Sequence, residues 1–412
     1  MNFNNFTKKT LSFIYSEPKL LILLPIGLII IILLLIIFPI KKIRIGFLNT
    51  SRIGHFTENT ENYFLIKKYI DKKNQNSLDL FYCTREISND FLRDLWARKI
   101  YILPYNLLRM SCLIVRVVKP LNFLSCTLNL NPRDIHNLYD KSEPTLSLTQ
   151  AEEYRGAKEL EKLGLKANEK FVCLIVRDNF YLKSIYNDNS FIDSHNFRNC
   201  EIENFVLMAE YLNKLGYYVI RMGVKANKKF PITNSKIIDY AFNGSRSDFM
   251  DIYLGSKCEF CISTGTGFDG IPSIFRKPIL YTNILPFGAV RTSSSKNIFI
   301  TKHLIDKSSN KKLSILDMIN CKIINSTKAN DYKNFNILIL ENTPSEIKDA
   351  VEEMLLRIKG DFFYNNNEKE LHAKFWKLFP DDLKHNNFPL HGAIRGNIGN
   401  SFLKENQHLL KG

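Results

Sequence analysis

The chain has 412 residues, 45% of them hydrophobic and 24% charged, a globular balance too long for one ordinary core and suited to two domains. It carries no fixed-period repeat and no long polar low-complexity tract, which excludes solenoid and fibrous architectures. Lys and Arg outnumber Asp and Glu by 57 to 41, a net charge of +16; such a surplus attracts nucleotide diphosphates, nucleic acid or anionic lipid headgroups, although compositional drift toward Lys, Asn and Ile produces it too.

Residues 1–19 form a short tail. Residues 20–40, from Leu20 to Ile40, are almost unbroken hydrocarbon. At about 1.5 Å per residue this stretch predicts a single transmembrane helix across a core of roughly 30 Å. Pro39-Ile40-Lys41-Lys42 follows it rather than the small residues of a cleavage site. The excess of Lys41, Lys42, Arg44 and Arg52 over Lys8, Lys9 and Lys19 favours a cytoplasmic location for the rest of the chain. A second apolar zone, residues 100–130, is interrupted by Arg109, Arg116 and Lys119. It reads as core helix and strand, with a headgroup-level surface as the alternative.

The soluble region opens with an alternating strand, Ile43 to Leu48. The loop Asn49 to Phe56 leads into a helix near Glu58 to Ile70, and a strand follows at Leu78 to Cys83. Thr149-Gln-Ala-Glu152 is a capping box for a helix ending at Gly164. A first domain is therefore expected over 43–164. The second, 165–345, is more regular. Phe171 to Val176 suits a buried parallel strand. A helix runs from about Glu201 to Leu215, then come a strand at Tyr217 to Met222, a short helix from Ser247, and strands at Cys258 to Ile262 and Pro278 to Tyr281. This alternation predicts a doubly wound parallel sheet.

A doubly wound sheet binds ligands beyond the carboxyl ends of its strands. Arg177, Asp178, Gly223 and the loop Ser263-Thr264-Gly265-Thr266-Gly267 are expected on that rim, with a helix starting near Asp269. Glycines admit an anion to the backbone, hydroxyls donate, and Arg177 offers a bidentate contact to a diphosphate. The other reading of the loop is a tight strand-to-helix turn. Two further clusters qualify. His195 and Arg198 lie in a polar loop, as a group titrating near neutrality and an anion ligand, or as solvated capping residues. Asp248 and Asp251 follow Arg246; a carboxylate at Asp248 is also favoured simply by its place in a first helical turn. Cys258 and Cys261 form a C-x-x-C with no second pair, so they read as small strand residues rather than zinc ligands.

The chain resembles a bacterial family of glycosyltransferases encoded among cell-surface polysaccharide genes. The resemblance rests on Arg52-Ile-Gly54-His55, Val176-Arg177-Asp178, His195-Asn-Phe-Arg198-Asn199, Tyr218-Val-Ile-Arg221-Met-Gly223, Asp239-Tyr-Ala, Arg246-Ser-Asp248-Phe-Met-Asp251 and Ile262-Ser-Thr-Gly-Thr-Gly267-Phe-Asp269. Phe375-Trp376, Phe379-Pro380 and His391-Gly-Ala-Ile-Arg395 extend it through the tail. It implies an α/β, GT-B-like fold: two Rossmann-like domains facing a cleft, the second holding a nucleotide-sugar, with residues 346–412 as terminal helices returning to the first domain, here behind one N-terminal transmembrane helix. The family is distantly fucosyltransferase-like. Fucosyltransferases of this general class carry His-x-Arg after the equivalent strand; here Ile175 replaces the His and Arg177 is kept.

The expectation is a membrane-anchored glycosyltransferase moving a sugar from a nucleotide-sugar donor to a glycan or lipid-linked acceptor, without cofactor, metal or nucleic acid. Arg177, Arg198, Gly223, Ser263, Thr264, Gly265, Thr266, Gly267 and Asp269 would bind the donor. His55 is the candidate base for the acceptor hydroxyl, or else a helix-start residue that caps backbone groups. Asp178, His195 and Asp248 are further catalytic candidates. A sugar-nucleotide epimerase on the same architecture and a non-catalytic membrane scaffold are the alternatives.

Overall fold

The computed structural model describes residues 22–126, 133–166, 168–185, 188–290, 294–380, 382–385, 388–393 and 396–411. The chain divides into two compact units. Residues up to 132 with 145–147 form the first, and 133–144 with 148 onward form the second.

In the first unit, helix α1 spans Leu24–Ile37, with Pro25 in its first turn, where a missing N–H costs nothing. The expected span is longer; Leu20 and Leu21 lie outside the described residues. Among the described residues no helix is long and apolar enough to cross a membrane. The fourteen residues of α1 rise about 21 Å. One stripe of α1 is buried, Gly27, Ile31 and Leu34. It packs on helix α2, Tyr105–Val117, through a core that includes Leu108, Cys112 and Val115. A β-carbon at Gly27 would lie 2.7 Å from Met110 Cγ, so glycine is what lets the two helices approach. Within the interrupted apolar zone, residues 105–117 thus form a core helix.

Strands β1 (Ile43–Leu48), β2 (Leu78–Cys83) and β3 (Tyr101–Ile102) form a parallel sheet in that order. Ile43 stands opposite Leu78 and Leu80 opposite Tyr101. Arg44, counted above among the charges flanking the apolar segment, is buried at 5% exposure. Its Nε and Nη2 donate to Asp79 at 2.8 and 2.9 Å. It therefore holds β1 to β2. After β1 the chain makes a π-turn, His55–Asn59, which runs into helix α3, Thr60–Tyr69.

The second unit begins with residues 133–144 and then helix α4, Gln150–Lys162, whose capping box is formed by Thr149 and Glu152. The sequence places α4 in the first domain, but it belongs to the second unit. Gly156 lies flat against the Tyr253 ring, where no β-carbon fits. The sheet has seven parallel strands. β4 (Phe171–Ile175), β5 (Tyr218–Arg221), β6 (Ile237–Asp239), β7 (Cys261–Ser263), β8 (Ile279–Ile284), β9 (Ile298–Thr301) and β10 (Asn397–Ile398) take the order β10-β9-β8-β7-β4-β5-β6. Cys173 pairs with both Ile220 of β5 and Cys261 of β7. β4 is therefore central, and the winding leaves it toward β5 and β6 and then returns to its other side at β7. The expected strand from Cys258 starts three residues late. Helix α5, Asp248–Lys257, runs longer than anticipated and Cys258 ends it.

The C-terminal residues also belong to the second unit, where β10 extends the sheet beside Ile298 and Phe299. The tail motifs meet there as one aromatic cluster. Phe375 lies 6.1 Å from Phe299 and 6.2 Å from Phe287, and Phe379 lies 5.2 Å from His391, ring centre to ring centre. His391 Nε2 is 3.0 Å from the Gly288 carbonyl. Packing accounts for these residues, while Ile394 and Arg395 of the same motif lie outside the described residues.

Candidate anion site at the sheet switch point

Because β4 and β7 are adjacent and the connections leave them in opposite directions, their carboxyl ends mark the switch point of the sheet, the place where doubly wound folds take their ligands. Arg177 and the loop from Ser263 to Gly267 are brought together there. The Arg177 amide donates to Thr264 Oγ1 at 2.8 Å, and the Thr264 amide donates to the Ile175 carbonyl at 3.2 Å. Ser263, fully buried, accepts from the Gly265 amide at 3.0 Å. Gly265 has φ +77°. A β-carbon there would meet Ile284 Cδ1 at 3.2 Å, so both backbone conformation and space call for glycine. Thr266 Oγ1 donates to the buried carboxylate of Asp269 at 3.0 Å. The helix that follows is only Gly270–Ile274, too short for a sizeable dipole. Asp269 makes no capping hydrogen bond; it braces the loop through Thr266.

Arg198 joins the same point from the next loop. Its Nη2 donates to the Gly265 carbonyl, and the Cys200 amide donates to the Arg177 carbonyl at 3.0 Å. Two arginines are thus tied, one by backbone and one by side chain, to the loop that follows β7. Sequence reasoning missed a third cation. Lys302 follows β9, is 5% exposed, donates to the Asn199 carbonyl and lies 3.9 Å from Glu341. It was hidden because β9 itself carries no motif. Burial pushes the Cys200 thiol up to about 12, against the pull of Lys302 and Arg177, so it stays protonated beside the two cations.

The other candidates sit further along the rim. Asp178 accepts from the amides of Phe180 at 2.9 Å and Asn227 at 2.8 Å. It links the loop after β4 to the loop that begins near Gly223 after β5. Arg221 and Asp239, carriers of the resemblance, approach to 3.3 Å and tie β5 to β6. His195 Nδ1 is engaged locally, 2.8 Å from Ser194 Oγ and 2.9 Å from the Phe191 carbonyl. Asp248 and Asp251 stand in the first turn of α5, past the carboxyl end of β6. Arg246 reaches Asp251 at 2.6 Å and Asp248 only at 3.5 Å. Burial, with Asp248 adding, pushes the Asp251 carboxyl up to about 6 although Arg246 opposes it. The buried i+3 place of Asp251 on α5 was the available signal. His55 opens the π-turn of the first unit, a form of helix frequent at functional positions.

All eight cysteines are free thiols, and among the described residues no His/Cys/Asp/Glu cluster could hold a metal ion. A surface hollow lined by Glu210, Lys214, Asn234 and Lys236 lies where β6 enters the sheet, at the opposite end from the rim.

No known protein family and no curated protein matches the sequence. Among solved structures, the chain is similar to the ADP-heptose lipopolysaccharide heptosyltransferase II of E. coli, at 12% identity over 77% of this chain and 100% of that one, with a TM-score of 0.39. It is also similar to a family 9 glycosyl transferase of Veillonella parvula DSM 2008, at 10% identity over 77% and 97%, with a TM-score of 0.43. A third is the iron-containing dodecameric glycosyltransferase TibC of enterotoxigenic E. coli H10407, at 12% identity over 60% of each chain, with a TM-score of 0.29. Overlaps of this size do not transfer chemistry from those enzymes to this chain.

Proposed function

We propose that this chain is a glycosyltransferase whose second unit holds a nucleotide-sugar by its diphosphate beyond the carboxyl ends of β4 and β7. One observation carries the reading: Arg177, Arg198 and the glycine- and hydroxyl-rich loop from Ser263 to Gly267 converge at the switch point of a parallel sheet, with Lys302 buried behind them. Breaking a sugar–phosphate bond leaves extra negative charge on the departing diphosphate. Fixed guanidinium groups stabilise that charge more in the transition state than in the ground state, the requirement for catalysis. His55 is the proposed base for the acceptor hydroxyl, a glycan or lipid-linked glycan, with Asp178, His195 and Asp248 as further candidates and the rest of the site as assigned from the sequence.

The test is incubation of the full chain with a panel of radiolabelled nucleotide-sugars and membrane glycolipid extract. Consumption of one donor with label in the extract supports transfer. Interconversion of sugars without an acceptor would make the protein an epimerase, and no turnover or diphosphate binding would leave a scaffold.

A further inference from the structure

The sequence of α1 is apolar all round, yet its surroundings are two-sided. Gly27, Ile31 and Leu34 face α2, while Leu28, Ile29, Ile32, Leu33 and Ile36 stand in the open at 46–65% exposure. A contiguous open face of this kind marks an interaction site rather than ordinary surface. Phe123 extends it, half-exposed and 4.7 Å from Phe38 ring to ring. α1 and α2 therefore run side by side in the same direction, since Gly27 meets Met110 near the middle of α2 and Phe38 meets the segment just past its end.

Charge marks the same end. Lys41, Arg116 and Lys119 are exposed there, Arg116 with its guanidinium 5.3 Å from the Phe47 ring centre. No acidic residue occurs from residue 18 to 57 or from 99 to 133. The two segments that build this surface carry only positive charge beside a hydrocarbon face. An apolar helix face edged by lysine and arginine matches the acyl-to-headgroup boundary of an anionic bilayer. A second protein copy would place like charges against each other.

We propose that α1 and α2 dock as a fixed pair onto one leaflet of an anionic phospholipid membrane, the open face of α1 with Phe123 among the acyl chains, and Lys41, Arg116 and Lys119 at the headgroups. The first unit is then held rigidly against the lipid rather than tethered by a free helix. This inference is independent of the transferase reading.

Flotation of the full chain with vesicles tests it. The wild type is expected to float with phosphatidylcholine vesicles containing phosphatidylglycerol and far less with phosphatidylcholine alone. Lys41→Glu with Lys119→Glu, both on exposed positions, is expected to weaken binding to the anionic vesicles by about 30-fold or more, roughly fivefold for each cation lost. Ile32→Glu with Ile36→Glu is expected to abolish flotation without changing the circular dichroism spectrum. Equal flotation of wild type and lysine variant would overturn the proposal, as would resistance of that variant to carbonate extraction, which indicates a spanning segment. A dimer in solution that the Ile32/Ile36 variant converts to monomer, with flotation unchanged, would assign the face to a second copy.

Discussion

At the scale of single residues, Arg177 and Gly265 make separable statements about the site. A charged hydrogen-bonded contact contributes about 1.5–3 kcal/mol, so Arg177→Ala should weaken nucleoside diphosphate binding by roughly 10- to 150-fold, measured by calorimetry. An exposed lysine of α4 such as Lys162 is the fitting control. Arg357 is not, because it reaches Glu353 at 2.7 Å and covers the Phe362 ring at 4.0 Å, and its loss would disturb the fold. Unchanged affinity in a folded Arg177→Ala protein would remove this residue from the site. His55 belongs to the other unit. His55→Ala is expected to keep donor affinity while transfer falls by about 10²–10⁴-fold, the usual contribution of a general base. Loss of donor binding in that variant would place His55 at the nucleotide instead.

At the scale of elements, the loop after β7 depends on the backbone geometry of Gly265 as well as on its hydroxyls. Gly265→Ala forces a β-carbon into the left-handed region, at about 1–2 kcal/mol, and toward Ile284. The thermal midpoint should drop by several degrees, and diphosphate affinity should fall with it because the Gly265 carbonyl is what positions Arg198. A variant as stable and as tight-binding as wild type would show that the turn has no part in the site.

The same elements show what a single sequence reveals. β4 is a continuous apolar run, β1 alternates and β2 and β5 are mostly apolar, and the rule that ligands gather at strand ends led from β4 and β7 to Arg177 and Thr264. β6 has three residues and β10 two, too few to carry a period, so those edges of the sheet were illegible. Lys302 was illegible with them, since only recognition of β9 places it behind the site. α1 failed for the opposite reason: every position is apolar, so nothing in the pattern distinguishes the stripe on α2 from the face left open. The sheet role of Arg44 was illegible because its partner Asp79 lies 35 residues on.

At the scale of the molecule, the second unit is expected to be sensitive to mild acid. Burial, with Arg357 adding, pushes the His372 imidazole down to about 4, and burial with Lys312, His303 and Lys411 does the same to His408. In the unfolded chain both take up a proton near 6.5, so between pH 6.5 and 4 these two groups bind more protons in the unfolded state, and Asp251, raised to about 6, offsets part of that. The stability these groups contribute is present above pH 6.5 and is lost as the pH falls toward 4. Glu346 acts lower. Its burial is outweighed by the hydrogen bond and charge of His303, whose Nε2 lies 3.0 Å away, and its carboxyl is held at about 2. That contribution is present above about 4.5 and is lost as the pH falls through 2. The melting temperature should therefore decline in two stages, the first between pH 6.5 and 4 and the second below that. His372→Gln should flatten the first stage and leave the second in place. Calorimetric scans of the two proteins from pH 7.5 to 2.5 check this. A midpoint that stays level down to pH 4.5, or an identical slope in the variant, would mean that these imidazoles are hydrated and titrate as they do in the unfolded chain.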